Sequence, residues 1–170
     1  MVVVMQEEKV AKVYKALEQV FDPEIPVLNV LDLGVIRDVI FQDDTLHIAI
    51  TPTYSGCPAM QTMKMDIRLK MLEIGFSNVE ITEQLSPAWT TDDMSETGKS
   101  KLLAYGIVPP KHSSHLSMEK GLTYDCPLCN SQNTRLLSEF SSTSCKAIRV
   151  CNECLEPFEV FKCHHVKDKL

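Results

Sequence analysis

Seven cysteines stand in this 170-residue chain, at positions 57, 126, 129, 145, 151, 154 and 163. Four of them form two C-x2-C pairs, Cys126-Pro127-Leu128-Cys129 and Cys151-Asn152-Glu153-Cys154, separated by 21 residues. A C-x2-C turn aims two thiolates at one ion. Two such turns at the ends of antiparallel strands supply four sulfurs in tetrahedral array. The intervening stretch has the length of one hairpin, whose return brings the second pair beside the first. All four positions are sulfur and none is open to water, so the spacing predicts a closed, structural zinc site. Four thiolates also suit a single iron, as in rubredoxin, or a cluster. The region around them, about 45 residues with few large apolar groups, is too small to fold on burial alone, so the metal must contribute folding free energy.

The remaining cysteines carry two readings each. Cys145 lies six residues before Cys151, and Cys163 nine after Cys154 with His164 and His165 beside it. Each can be a small buried hydrophobe, or Cys145, Cys163 and His164 can form a second thiol or metal group near the four-cysteine site. Cys57 precedes Pro58, which suits the first position of a following helix. Unpaired N–H groups at that helix start favour a thiolate and predict a lowered pKa. Cys57 is thus a candidate metal-handling or nucleophilic thiol, and equally a buried cysteine at a helix start. Asp22 and Glu24 flank Pro23 as a pair of acids, although a turn with solvated carboxylates is the commoner outcome. His47 reads as a solvated or packed strand residue. No Ser–His–Asp arrangement, P-loop or dinucleotide fingerprint is present.

The elements that must position these groups follow from periodicity. Val10, Val13, Tyr14, Leu17 and Phe21 recur at helical spacing over 7–21, and Asp22-Pro23-Glu24-Ile25-Pro26 ends that helix. Residues 34–41 and 45–51 alternate as strands around a turn at Gln42-Asp43-Asp44. A second helix runs to about Ile74 with Met60, Met63, Ile67, Met71 and Ile74 as its apolar stripe, capped by Gly75. A third strand spans 78–85 and a third helix 91–105, with Thr91, Asp92 and Asp93 at its start. Short strands are expected at 134–140, 145–151 and 157–162. The fold class is α+β: an α-β-β-α-β-α domain over 1–110, a linker over 111–121, a four-cysteine zinc ribbon over 122–165 and a tail over 166–170.

Charge narrows the function classes. Residues 1–112 carry 10 Lys+Arg against 16 Asp+Glu, and residues 113–170 carry 7 of each sign. Neither part is basic, which argues against a zinc-ribbon regulator binding nucleic acid. No run approaches the roughly 20 apolar residues that span a bilayer. The apolar start Met1-Val2-Val3-Val4-Met5 lacks the features of a signal peptide. A cytoplasmic protein is expected, and an odd cysteine count there favours metal or thiol chemistry over disulfides.

Taken together, several segments resemble the PaaD family, accessory proteins of bacterial phenylacetyl-CoA oxygenase (epoxidase) clusters. They are Asp22-Pro23-Glu24-Ile25-Pro26, Asp32-Leu33-Gly34-Val35-Ile36, Thr51-Pro52-Thr53-Tyr54-Ser55-Gly56-Cys57-Pro58-Ala59, Trp89-Thr90, Gly106-Ile107-Val108-Pro109-Pro110, Cys126-Pro127-Leu128-Cys129, and Glu156-Pro157-Phe158 leading to Phe161-Lys162-Cys163-His164. The first domain resembles small α+β proteins of iron–sulfur cluster assembly, in which the cysteine of T-x5-C-P is the functional thiol, here Cys57. The resemblance also implies a role for Cys145 and Cys163. It departs at Ala147-Ile148-Arg149-Val150, where an aromatic and an arginine are expected, and at Ser142, where the family has glycine. It implies an accessory factor that does not itself perform epoxidation. Such a factor would handle iron or a transient cluster for a client, by analogy the reductase of the oxygenase, with self-association open. The rival within the same system is an electron-transfer or structural subunit with iron in the four-cysteine site.

Overall fold

The structure is a computed structural model that describes residues 2–54, 56–109 and 124–161. The chain packs as two units, Met1–Trp89 and Thr90–Leu170.

In the first unit, α1 (Val2–Leu17) buries Val13, Ala16 and Leu17. The helix stops at Leu17, short of the expected Phe21, and Tyr14 and Phe21 are exposed. The segment that follows is compact irregular chain held by its own side chains. Asp22 Oδ1 accepts from the N–H groups of Glu24 (2.7 Å) and Ile25 (2.8 Å). Asn29 Oδ1 accepts from those of Leu31 (3.0 Å) and Asp32 (2.7 Å). These short polar groups satisfy backbone donors that neither helix nor sheet would reach, which lets Ile25, Leu28, Val30 and Leu33 be buried in a loop. Gly34 at φ 67° turns the chain into the sheet. The Trp89 indole N–H donates to Leu33 O at 2.8 Å, closing over this segment.

The hairpin is β1 (Ile36–Gln42) and β2 (Thr45–Ile50). Its two loop residues, Asp43 and Asp44, both have positive φ, as a tight hairpin turn requires. On β2 the expected alternation holds, with Leu46, Ile48 and Ile50 buried. On β1 only one face is covered, because Val39 is buried while Ile40 is exposed. Helix α2 (Ala59–Glu73) then crosses to β3 (Val79–Glu83), which pairs parallel to β2. The sheet order is β1-β2-β3, and α2 lays Met60, Met63, Ile67 and Met71 into the core, as the sequence predicts.

The second unit opens on a short 3-10 turn, Thr91–Asp93, in which Asp93 Oδ2 accepts from the Thr90 N–H. The expected helix from Thr91 is broken here. Met94 is extended and buried, and Ser95 becomes the true cap, its Oγ accepting from Gly98 N–H at 2.8 Å. Helix α3 (Glu96–Tyr105) ends at Gly106, at φ 96°. It leads directly into β4 (Ile107–Val108), and β4 pairs parallel with β7 (Pro157–Phe161). That pairing is why α3 and β4, expected with the first domain, fall in the second unit. The second sheet has the order β4-β7-β6-β5, with β5 (Thr134–Ser138) and β6 (Lys146–Cys151) antiparallel. The expected linker and tail lie outside the described residues.

Candidate metal centre and thiol site

Each cysteine pair is built on the same backbone turn. Asn130 N–H donates to Cys126 O and Leu155 N–H to Cys151 O, while Cys126 N–H reaches Ser131 O and Cys151 N–H reaches Glu156 O. The residue after the second cysteine of each pair, Asn130 and Leu155, is left-handed, at φ 59° and 66°. A leucine in that region is strained, so the turn is imposed by what surrounds it. The two knuckles meet because β5 pairs Thr134 with Cys151, and Asn152 N–H caps Asn133 O at 2.8 Å.

The four sulfurs converge. Cys126 and Cys154 Sγ lie 3.6 Å apart, Cys129 and Cys151 Sγ 3.5 Å, and all four fall within 4.8 Å of one another. Tetrahedral zinc with Zn–S bonds of about 2.3 Å asks for sulfurs ~3.8 Å apart, so the set fits a single ion. The electrostatics point the same way. Cys151 Sγ receives the Cys154 and Glu153 N–H groups (3.5 and 3.4 Å), which pull its pKa down to about 6. At Cys154 the Glu156 N–H pulls down, but burial and the adjoining sulfurs push harder, up to about 12. Four thiols this close do not all ionise unless a cation joins them. Behind the sulfurs, Val108, Tyr124, Ala147, Phe158 and Val160 form a small apolar core, and the Arg149 guanidinium covers the Tyr124 ring at 5.1 Å.

Cys145 does not join this group. It is buried just before β6, with Thr143 Oγ1 at 3.1 Å from its sulfur. Cys163 and His164 lie outside the described residues. His47 pairs across the sheet with Glu80 at 3.2 Å.

Cys57 sits at the head of α2, one residue before its cap Pro58. Its N–H donates to Tyr54 O, and its own carbonyl accepts from Met60 N–H. The predicted lowering of its pKa is overturned. Burial pushes the thiol up, against the pull of the Ala59 N–H, and the negative charges of Glu24 and Asp22 add to the rise while a hydrogen bond with Tyr54 opposes it. The fold therefore does bring Cys57 within the field of both acids. Asp22 is no solvated turn residue: it is buried, and burial raises its own pKa against the two N–H groups it accepts. Two further residues of the T-x5-C-P segment stand out in the structure. Tyr54 reaches the thiol, and Thr51 is 1% exposed with its hydroxyl unpartnered among the described residues. Thr51 lies one residue beyond β2, on the side of the alternation that the sequence reads as polar.

Comparison with known proteins matches two stretches of the chain. Residues 10–81 match the family described as iron–sulfur cluster assembly protein, and residues 110–162 match the PaaD zinc beta ribbon domain. The chain is 46% identical, over 91% of its length and 93% of the relative's, to an Escherichia coli protein provisionally named as one of the subunits of 1,2-phenylacetyl-CoA epoxidase. It is 33% identical, over 61% of its length and 99% of the relative's, to the Fe-S protein maturation auxiliary factor YitW of Bacillus subtilis. Among solved structures, a DUF59 domain from Bacillus anthracis superposes with a TM-score of 0.55 at 27% identity, covering 59% of this chain and 96% of that one. An assembly-type α+β domain, a ribbon with four converged thiols and similarity running through both identify the chain as a member of the PaaD family.

Proposed function

We propose that this protein is an accessory factor that assists iron–sulfur cluster assembly or insertion in the phenylacetyl-CoA oxygenase (epoxidase) system. Its client is the cluster-bearing reductase of that system, and it does not catalyse the epoxidation. The observation that carries the reading is the environment of Cys57. A thiol held neutral by burial and by two carboxylates is a poor nucleophile at neutral pH. It is a sound latent ligand: iron binding releases the proton, and the charges of Glu24 and Asp22 that disfavour the bare thiolate favour an arriving cation. Iron or a cluster is here the cargo.

In this reading Cys126, Cys129, Cys151 and Cys154 hold one structural zinc, and the ribbon docks a partner. The decisive experiment replaces Cys57 by Ser in cells growing on phenylacetate. The client reductase should accumulate without its cluster while the factor stays folded and zinc-loaded. Full cluster loading and normal growth would remove Cys57 from the mechanism. Metal analysis of protein purified without oxygen tests the ribbon separately: one zinc per chain and no colour is expected, and a red, redox-active protein would make it an iron site.

A further inference from the structure

Helix α2 is apolar on two sides. One side is the buried stripe of Met60, Met63, Ile67 and Met71; on the other, Met65, Leu69 and Leu72 are 66%, 54% and 47% exposed. These three residues follow the spacing of four then three that defines a coiled-coil seam, with Met65 and Leu72 at d positions and Leu69 at a. The flanks differ in charge. Arg68 lies on the edge preceding Leu69, the g position. Asp66 and Glu73 lie on the opposite edge, both e positions. Lys70 Nζ meets Glu73 Oε2 at 2.6 Å and steadies that carboxylate.

This charge pattern selects an arrangement. In a parallel helix pair, a g residue meets the e residue five positions on in the other helix. Arg68 to Glu73 is that interval. In a two-fold antiparallel pair the like edges face each other, and Arg68 would meet a second Arg68. A free peptide of two heptads would not hold a coiled coil, because helix nucleation is costly. Here packing of the opposite face has already ordered the helix, so only the seam itself must form.

We propose that the exposed stripe of α2 is a self-association surface. Two copies pair through parallel α2 helices, with Met65, Leu69 and Leu72 packed across the two-fold axis and Arg68 facing Glu73 of the partner subunit. The pairing is independent of the role given to Cys57. It does have a geometric consequence for it: both Cys57-Pro58 segments stand at the same end of the helix pair.

The seam is short, below the ~1,200 Å² of a standard interface, and dimerisation in the micromolar range is expected. The test is sedimentation equilibrium of the zinc-loaded full chain from about 1 to about 300 μM. Wild type should reach dimer within that range and Leu69→Glu should stay monomeric, with unchanged helix content and zinc. Arg68→Glu should weaken association about tenfold by setting like charges opposite at two symmetric places, and adding Glu73→Arg should restore it to within about threefold. A monomer throughout the range would overturn the proposal. So would dimerisation by Leu69→Glu equal to wild type, which would put any interface elsewhere. Failure of the double charge swap to restore what the single one loses would reject the parallel register.

Discussion

Of the twelve largest fully buried side chains, ten lie between Leu17 and Met71, and the second unit supplies only Leu102 and Phe161. The first unit encloses a core of aliphatic and Met side chains between α2 and a three-stranded sheet. The second has a four-stranded sheet whose buried cluster includes two of the four converged cysteines, Cys126 and Cys151. Burying a Leu- or Ile-sized side chain is worth about 1.5–3 kcal/mol, so the first unit can be stable on apolar burial. The second has few such contributions, and an ion held by its four thiols would supply the difference. One chain thus combines two ways of meeting the entropy of folding.

That contrast can be broken most forcefully by taking the metal away. A strong chelator at neutral pH should abolish amide-exchange protection over 124–161 and leave 36–83 protected, because a structural zinc contributes on the order of 10 kcal/mol to a ribbon. Equal loss in both units would show that they fold as one. Next in size, Ile67→Ala should destabilise the first unit by about 2–5 kcal/mol in denaturant while the zinc content stays at one. A smaller effect should appear at the knuckle: Leu155→Gly should stabilise the ribbon by about 1 kcal/mol through relief of the left-handed strain, read as slower zinc loss to a competing chelator. The mildest change concerns the thiol. Alkylation of Cys57 should be slower than that of an unstructured cysteine at pH 7 and should rise only in the alkaline range. Glu24→Gln removes a negative charge and should shift that pH profile downward, with labelling about two- to threefold faster at a fixed pH. An unchanged profile would mean that Glu24 does not act on the thiol.

Much of this was legible beforehand, for identifiable reasons. The ribbon could be read because C-x2-C fixes local geometry whatever the rest of the chain does. The stripe of α2 and the alternation of β2 could be read because one face of each meets a core. The start of α3 differs from the expectation because Thr91-Asp92-Asp93 has good capping chemistry of its own, while the extended, buried Met94 separates that turn from the cap at Ser95. The pKa of Cys57 was misjudged for a similar reason. A helix start lowers it, but the depth of burial and the approach of Glu24 from a distant loop are tertiary facts. The outer stripe of α2 is present in the sequence as a second apolar period, but which of the two stripes meets a core is decided only by tertiary packing.

The single tryptophan of the chain, Trp89, is 2% exposed and its indole N–H is held by Leu33 O. Its fluorescence is therefore an internal optical probe of the Asp32-Leu33-Gly34 segment, free of any signal from the ribbon strands, which contain no Trp. Emission should be blue-shifted in the folded chain and should redden only when that segment opens. A titration with chelator or iron can thus be followed by light alone, with changes in the first unit seen apart from the loss of zinc in the second.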